Sequence, residues 1–229
     1  MKKISNPGML KRNRQIGNVS HIAGLLVLAG GLAVTFYLPE RLDLSYLSVI
    51  LGFFLVNVGN TFTNRWGKNP PPDQAIDDLL KGLDNRYTIV HYRLGAEHAL
   101  FTPNGIVAIL GKYERGTITF DGKKWRQRGV SGFLKFFGAE ALGDPAADGR
   151  AEADALARKL RKILKTDEVP PVRPIIAFVN DAARIEADSS PVPALHASKV
   201  KDYIRHLPKT PVLRPNQLRL VLEYAGVKA

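Results

Sequence analysis

The pattern of apolar and charged positions divides this chain near residue 65. No Asp, Glu, Lys or Arg occurs from Gln15 to Leu38, and none occurs again from Leu44 to Asn64. Each stretch holds an apolar run, one over residues 18–38 and one over residues 44–63. A helix of about 20 apolar residues crosses a hydrocarbon core, so both runs qualify as spans. Only residues 39–43 connect them, which leaves room for an antiparallel hairpin with its backbone groups satisfied inside each helix. A secretory signal also starts basic and then turns apolar. Its core is shorter, however, and no second span follows it at once.

Beyond the hairpin the periods change. Asn69 to Pro72 form a stiff linker within residues 65–72. Ile76, Leu79, Leu80 and Leu83 recur at helical spacing after Asp73, predicting a helix over residues 73–85. Residues 87–93, 98–101 and 106–112 read as strands, the last two joined by the turn Thr102-Pro103-Asn104-Gly105. The third strand is apolar on both faces and is expected to be central. A further strand is predicted over 117–120, a helix over 145–164 with a basic outer face, and a buried strand over 174–179. Helices follow over 197–207 and 215–225. Strands and helices in that order make a mixed α/β or α+β layer structure with helices flanking a central mixed sheet.

Charge orients the hairpin. Lys2, Lys3, Lys11, Arg12 and Arg14 lie in the basic segment 1–14, and Arg65 and Lys68 follow the second run. The connection carries one basic residue, Arg41. The positive-inside rule therefore predicts two spans in the cell membrane, with both termini and the main domain, residues 73–229, in the cytoplasm. The formal charge is +12, and residues 73–229 hold 25 Lys and Arg against 19 Asp and Glu. A modest excess of this kind suits anionic lipid or nucleic acid phosphates, and equally a solvated face. With no Cys, disulfides, thiolate zinc sites and a cysteine nucleophile are excluded. The five His show no metal-ligand spacing.

The text Glu97-His98, Pro103-Asn104-Gly105, Leu110-Gly111-Lys112, Gly116-Thr117-Ile118 and Trp125 resembles the nuclease-related domain family (NERD), within the restriction-endonuclease-like superfamily. The resemblance covers about residues 73–205. It implies a restriction-endonuclease-like fold and nucleic acid, DNA or RNA, as the substrate class. In that family a carboxylate on one strand and the Glu of Glu-x-Lys on the next hold magnesium, and the Lys acts on the attacking water. Carried over, the first carboxylate is Glu97 and the lysine is Lys112. The helix-borne acid corresponds to Asp73, and Asp148 stands where the family has Gln. Leu110 occupies the position of the metal-binding Glu, and an aliphatic side chain binds no magnesium. Glu114, two residues past Lys112, is the acid that would replace it. The expectation is a nucleic-acid-binding protein with weak or degenerate phosphodiesterase activity. The alternatives are a tethered module that contacts anionic lipid or a protein, and an active magnesium enzyme using Glu97, Glu114 and Lys112.

Lys123, Lys124, Trp125, Arg126 and Arg128 form the other candidate site. Basic residues interleaved with Trp suit phosphate contact with base stacking. Followed by Phe133, Leu134, Phe136 and Phe137, they equally suit a membrane surface.

Overall fold

The computed structural model describes residues 1–130 and 142–226. The chain forms two units: residues 7–72, and a domain made of residues 1–6 together with residues 73–229. The aromatic segment that holds Phe133, Leu134, Phe136 and Phe137 lies outside the described residues.

The first unit is a hairpin of α1 (Pro7–Tyr37) and α2 (Leu42–Trp66), joined by a 3-10 turn at Pro39–Arg41. Both helices are long and apolar enough to cross a membrane. Their packing follows a period that runs through both sequences. The buried residues are Gly17, Gly24 and Gly31 on α1, and Ser45, Gly52 and Gly59 on α2. A repeat of seven keeps one seam of each helix toward its partner, and small residues on that seam let the backbones approach. A Cβ on Gly24 would lie 3.1 Å from the Gly52 carbonyl oxygen and 2.8 Å from Val56 Cγ2. One on Gly52 would lie 2.6 Å from Leu28 Cγ. The large apolar side chains, among them Leu26, Phe36, Ile50 and Phe53, point outward and are exposed. The seam also carries polar links, from His21 Nε2 to Asn60 Oδ1 at 2.7 Å and from Thr35 Oγ1 to Ser45 Oγ at 3.0 Å.

The second unit is an α/β domain. Strands β1 (Lys2–Ile4), β2 (Thr88–His91), β3 (His98–Thr102), β4 (Gly105–Lys112), β7 (Val172–Phe178) and β9 (Ala194–His196) form one mixed sheet in that order. The pairs β2/β3 and β3/β4 are antiparallel, whereas β1/β2, β4/β7 and β7/β9 are parallel. On one face, α3 (Pro72–Leu79) and α5 (Ala197–Arg205) bury Ile76, Leu80, Val200 and Ile204 over Ile89, Leu100, Val107 and Ile109. On the other, α4 (Pro145–Leu164) and α6 (Pro215–Tyr224) cover Val90, Ala99, Phe101, Ile106 and Ala108 with Leu156, Leu160 and Val221. A small second sheet, β6-β5-β8, joins β5 (Gly116–Phe120), β6 (Trp125–Arg128) and β8 (Ala183–Glu186).

The α4 helix begins where the sequence places it. Asp144 caps it by accepting from the backbone N–H groups of Ala146 and Ala147, and Pro145 fills the first turn. Residues 2–4, read as part of a basic tail, instead form an edge strand. The terminal ammonium donates to the Leu83 carbonyl at 2.9 Å, and Lys3 pairs with Asp77 at 3.0 Å. The helix after the linker ends at Leu79 rather than near residue 85, because the chain turns back through Leu80 and Leu83.

Candidate functional site

Strand β4 ends at Lys112, and alternation sets its neighbours. Ile106, Ala108, Leu110 and Lys112 share the face toward α4, while Val107 and Ile109 face α3 and α5. Lys112 Nζ lies 3.2 Å from Asp148 Oδ2, in the first turn of α4, and 4.0 Å from Glu114 Oε1. Lys112 is 12% exposed and Glu114 5% exposed at the side chain, so this is a largely buried pair with one solvent-facing partner. Glu114 is thus a buried acid beside Lys112 rather than an exposed residue at a turn.

Leu110 is buried with Ile118, Ala146, Ile176 and Phe178. The antiparallel ladder between the third and fourth strands ends at the pair His98 and Ile109, and Glu97 lies just outside it. The Glu97 backbone N–H donates to Glu152 Oε2 of α4 at 2.6 Å. Asp73, at the start of α3, accepts from Ser5 Oγ at 2.9 Å. Tyr113 feels the charges of both Asp73 and Glu97. Burial first, then the negative charges of Asp73 and Glu97, push its hydroxyl pKa far above the ordinary tyrosine value.

These residues do not fit magnesium. Leu110, two residues before Lys112, is an aliphatic side chain inside an apolar cluster, and Lys112 spends its charge on Asp148 and Glu114. Among the described residues, no three Asp, Glu or His side chains are arranged to hold a metal ion. Magnesium is usually held by one or two carboxylates with waters completing its octahedron, and the acids beside Lys112 face its ammonium instead.

The segment from Lys123 to Arg128 is a hairpin edge. Asp121 Oδ1 accepts from the backbone N–H groups of Lys123 and Lys124, and Asp121 Oδ2 pairs with Arg126 at 3.0 Å. Lys123, Lys124, Arg126 and Arg128 are exposed. Trp125 alternates to the inner face, 5.0 Å from the Phe120 ring centroid and packed on the cluster around Ile118. It does not stand beside the arginines as a stacking platform.

A polar chain that the sequence reading passes over lies under α3. Lys3 pairs with Asp77, whose Oδ1 lies 3.3 Å from His91 Nε2, and His91 Nδ1 lies 2.7 Å from His98 Nδ1. Both imidazoles are buried, and His98 Nε2 has no hydrogen-bond partner among the described residues. Burial, and then the neighbouring His91, hold the His98 pKa well below the ordinary histidine value. The signal for this pair was the short connection between two strands, which puts His91 and His98 in register.

No family model, curated protein or solved structure matches the chain. Fold and site together define an α/β domain into which a hairpin of two membrane-length helices is inserted, between its first strand and its first helix.

Proposed function

We propose that this protein is a membrane-anchored, cytoplasmic relative of the nuclease-related domains that binds nucleic acid and cleaves phosphodiesters weakly or not at all. The observation that carries it is the end of β4. The element order of helix, three antiparallel strands, the hairpin β5–β6, helix and parallel strand supports the resemblance, in which Lys112 corresponds to the family's lysine. Leu110 is packed in the core instead of offering an oxygen, and Lys112 is engaged by Asp148 and Glu114.

Anchoring is supported by large apolar side chains outside the hairpin and glycines inside it, the reverse of a soluble core. Residues 1–6 and 73–229 belong to one domain, so a spanning hairpin has both ends on the domain's side. The basic residues beside those ends favour the cytoplasm. Affinity for nucleic acid is supported by the exposed row Arg158, Arg161, Lys162 and Lys165 on the last turns of α4.

The test uses the full chain in nanodiscs of zwitterionic lipid, with a labelled oligonucleotide. Binding is expected to weaken with salt, and its slope to fall by about 0.9 for each phosphate contact removed in R158A/R161A/K162A. Magnesium is expected to add no cleavage. Absence of binding at low salt, or efficient multiple-turnover cleavage with magnesium that is lost in Lys112→Ala, would overturn the reading.

A further inference from the structure

The small sheet has one apolar face and one charged face. Ile118, Ala183, Ile185 and Trp125 turn inward onto the cluster around Phe178. The register fixes what turns outward. Thr117 pairs with Arg128 on one side and Arg184 on the other, so the three side chains form one row across the sheet. Thr119 pairs with Arg126 and Glu186 and forms a second row. Strands lie about 4.8 Å apart, so Arg128 and Arg184 are rooted about 10 Å apart on either side of a threonine. Lys123 and Lys124 extend the face at the β5–β6 turn.

We propose that this outward face docks on the headgroups of anionic phospholipid. Five cationic side chains, Lys123, Lys124, Arg126, Arg128 and Arg184, stand against two carboxylates, Asp121 and Glu186, all exposed. The carboxylates pair with Arg126 at 3.0 Å and Arg184 at 3.1 Å. Exposed pairs of this kind bind little and exchange readily for a phosphate. Among the described residues the face carries no apolar or aromatic side chain, because alternation turns Trp125 inward. Contact is therefore at the level of headgroups, without insertion, and a single-stranded nucleic acid finds no ring to stack on. The same chain carries two membrane-length helices, which keep a lipid surface at high effective concentration. Each basic residue at an anionic surface strengthens docking about fivefold. Arg184 joins the set only through the fold, since 55 residues of chain separate it from Arg128.

The face differs from the α4 row invoked for nucleic acid, so either reading fails without the other. The experiment compares full-length protein in zwitterionic nanodiscs with protein in nanodiscs that also contain phosphatidylserine. Modification of Arg128 and Arg184 by phenylglyoxal is followed by mass spectrometry. Phosphatidylserine is expected to slow both at least fivefold, with high salt restoring the rate. In R128A/R184A, whose replaced side chains are exposed, docking is expected to weaken about 25-fold, so the lipid-dependent shielding of Lys123 and Lys124 from acylation should be lost. Equal rates in both nanodiscs, or shielding that survives in R128A/R184A, would overturn the proposal. So would protection by a duplex oligonucleotide in zwitterionic nanodiscs with none from phosphatidylserine.

Discussion

The contact between His91 and His98 makes the β2–β3 end of the domain acid-sensitive, by an amount that follows from hydrogen counting. At 2.7 Å the two Nδ1 atoms have room for one hydrogen between them. With both rings neutral, His91 Nε2–H donates to Asp77, His98 Nδ1–H donates to His91 Nδ1, and His98 Nε2 carries a bare lone pair. A proton added to His98 would place a charge on a fully buried ring whose Nε2–H has no acceptor among the described residues. Folded His98 therefore holds less proton than in the unfolded chain below the ordinary histidine value, in line with its lowered pKa. The sign is fixed: stability is full well above about pH 6.5 and falls as pH drops. The loss is about 1.4 kcal/mol per pH unit, or about 2 kcal/mol at pH 5. Asp77 acts in a lower window. Burial alone would raise its pKa, but hydrogen bonds from His91 and Lys3 outweigh burial and lower it, so its contribution is lost only as pH falls through that lowered value. Hydrogen exchange of residues 88–91 and 98–102, in full-length protein in nanodiscs and corrected for intrinsic rates, measures the effect. In His98→Asn the buried titrating ring is replaced by an amide that still meets His91 Nδ1, so the acid slope should vanish. A flat wild-type profile, or the same slope in the variant, would refute the reasoning.

Other predictions concern packing and caps. Leu110→Ala removes a side chain buried among Ile118, Ile176 and Phe178 and should cost about 3 kcal/mol of domain stability in denaturant unfolding. Gly52→Val should destabilise the hairpin by about 2 kcal/mol, because its added atoms meet Leu28 and the Gly24 carbonyl. A Cβ on Gly30, one residue from the seam, meets nothing within 4 Å, so Gly30→Ala should leave thermal stability nearly unchanged. Asp144→Ala loses the cap of α4 and should cost about 1 kcal/mol.

What could be read from the sequence was what strong periodicity encodes. Two charge-free runs gave the hairpin, and the apolar spacing of residues 145–164 gave α4 to the residue. Apolar Ile106 to Ile109 marked the central strand, which the sheet places between β3 and β7. Strand β1 was hidden because three residues, Lys-Lys-Ile, carry no period, and their partner Thr88–Val90 lies over 80 residues away. The seam of Gly17, Gly24, Gly31 and Ser45, Gly52, Gly59 was present as a period of seven, but apolar counts that weigh glycine lightly pass over it. At the site, sequence supplied Lys112, Glu97, Glu114, Asp73 and Asp148 without their grouping. The fold puts Lys112, Glu114 and Asp148 together and leaves Tyr113 under the charges of Asp73 and Glu97. Glu152 entered only through the packing of α4 on the strand end.

The end of β4 offers no seat for a divalent cation, and manganese binding followed by electron paramagnetic resonance reads this out. Titration of the full-length protein in zwitterionic nanodiscs should show no saturable site tighter than millimolar, with Glu114→Gln indistinguishable from wild type. One manganese ion held per chain at micromolar affinity, and lost in Glu114→Gln, would contradict it.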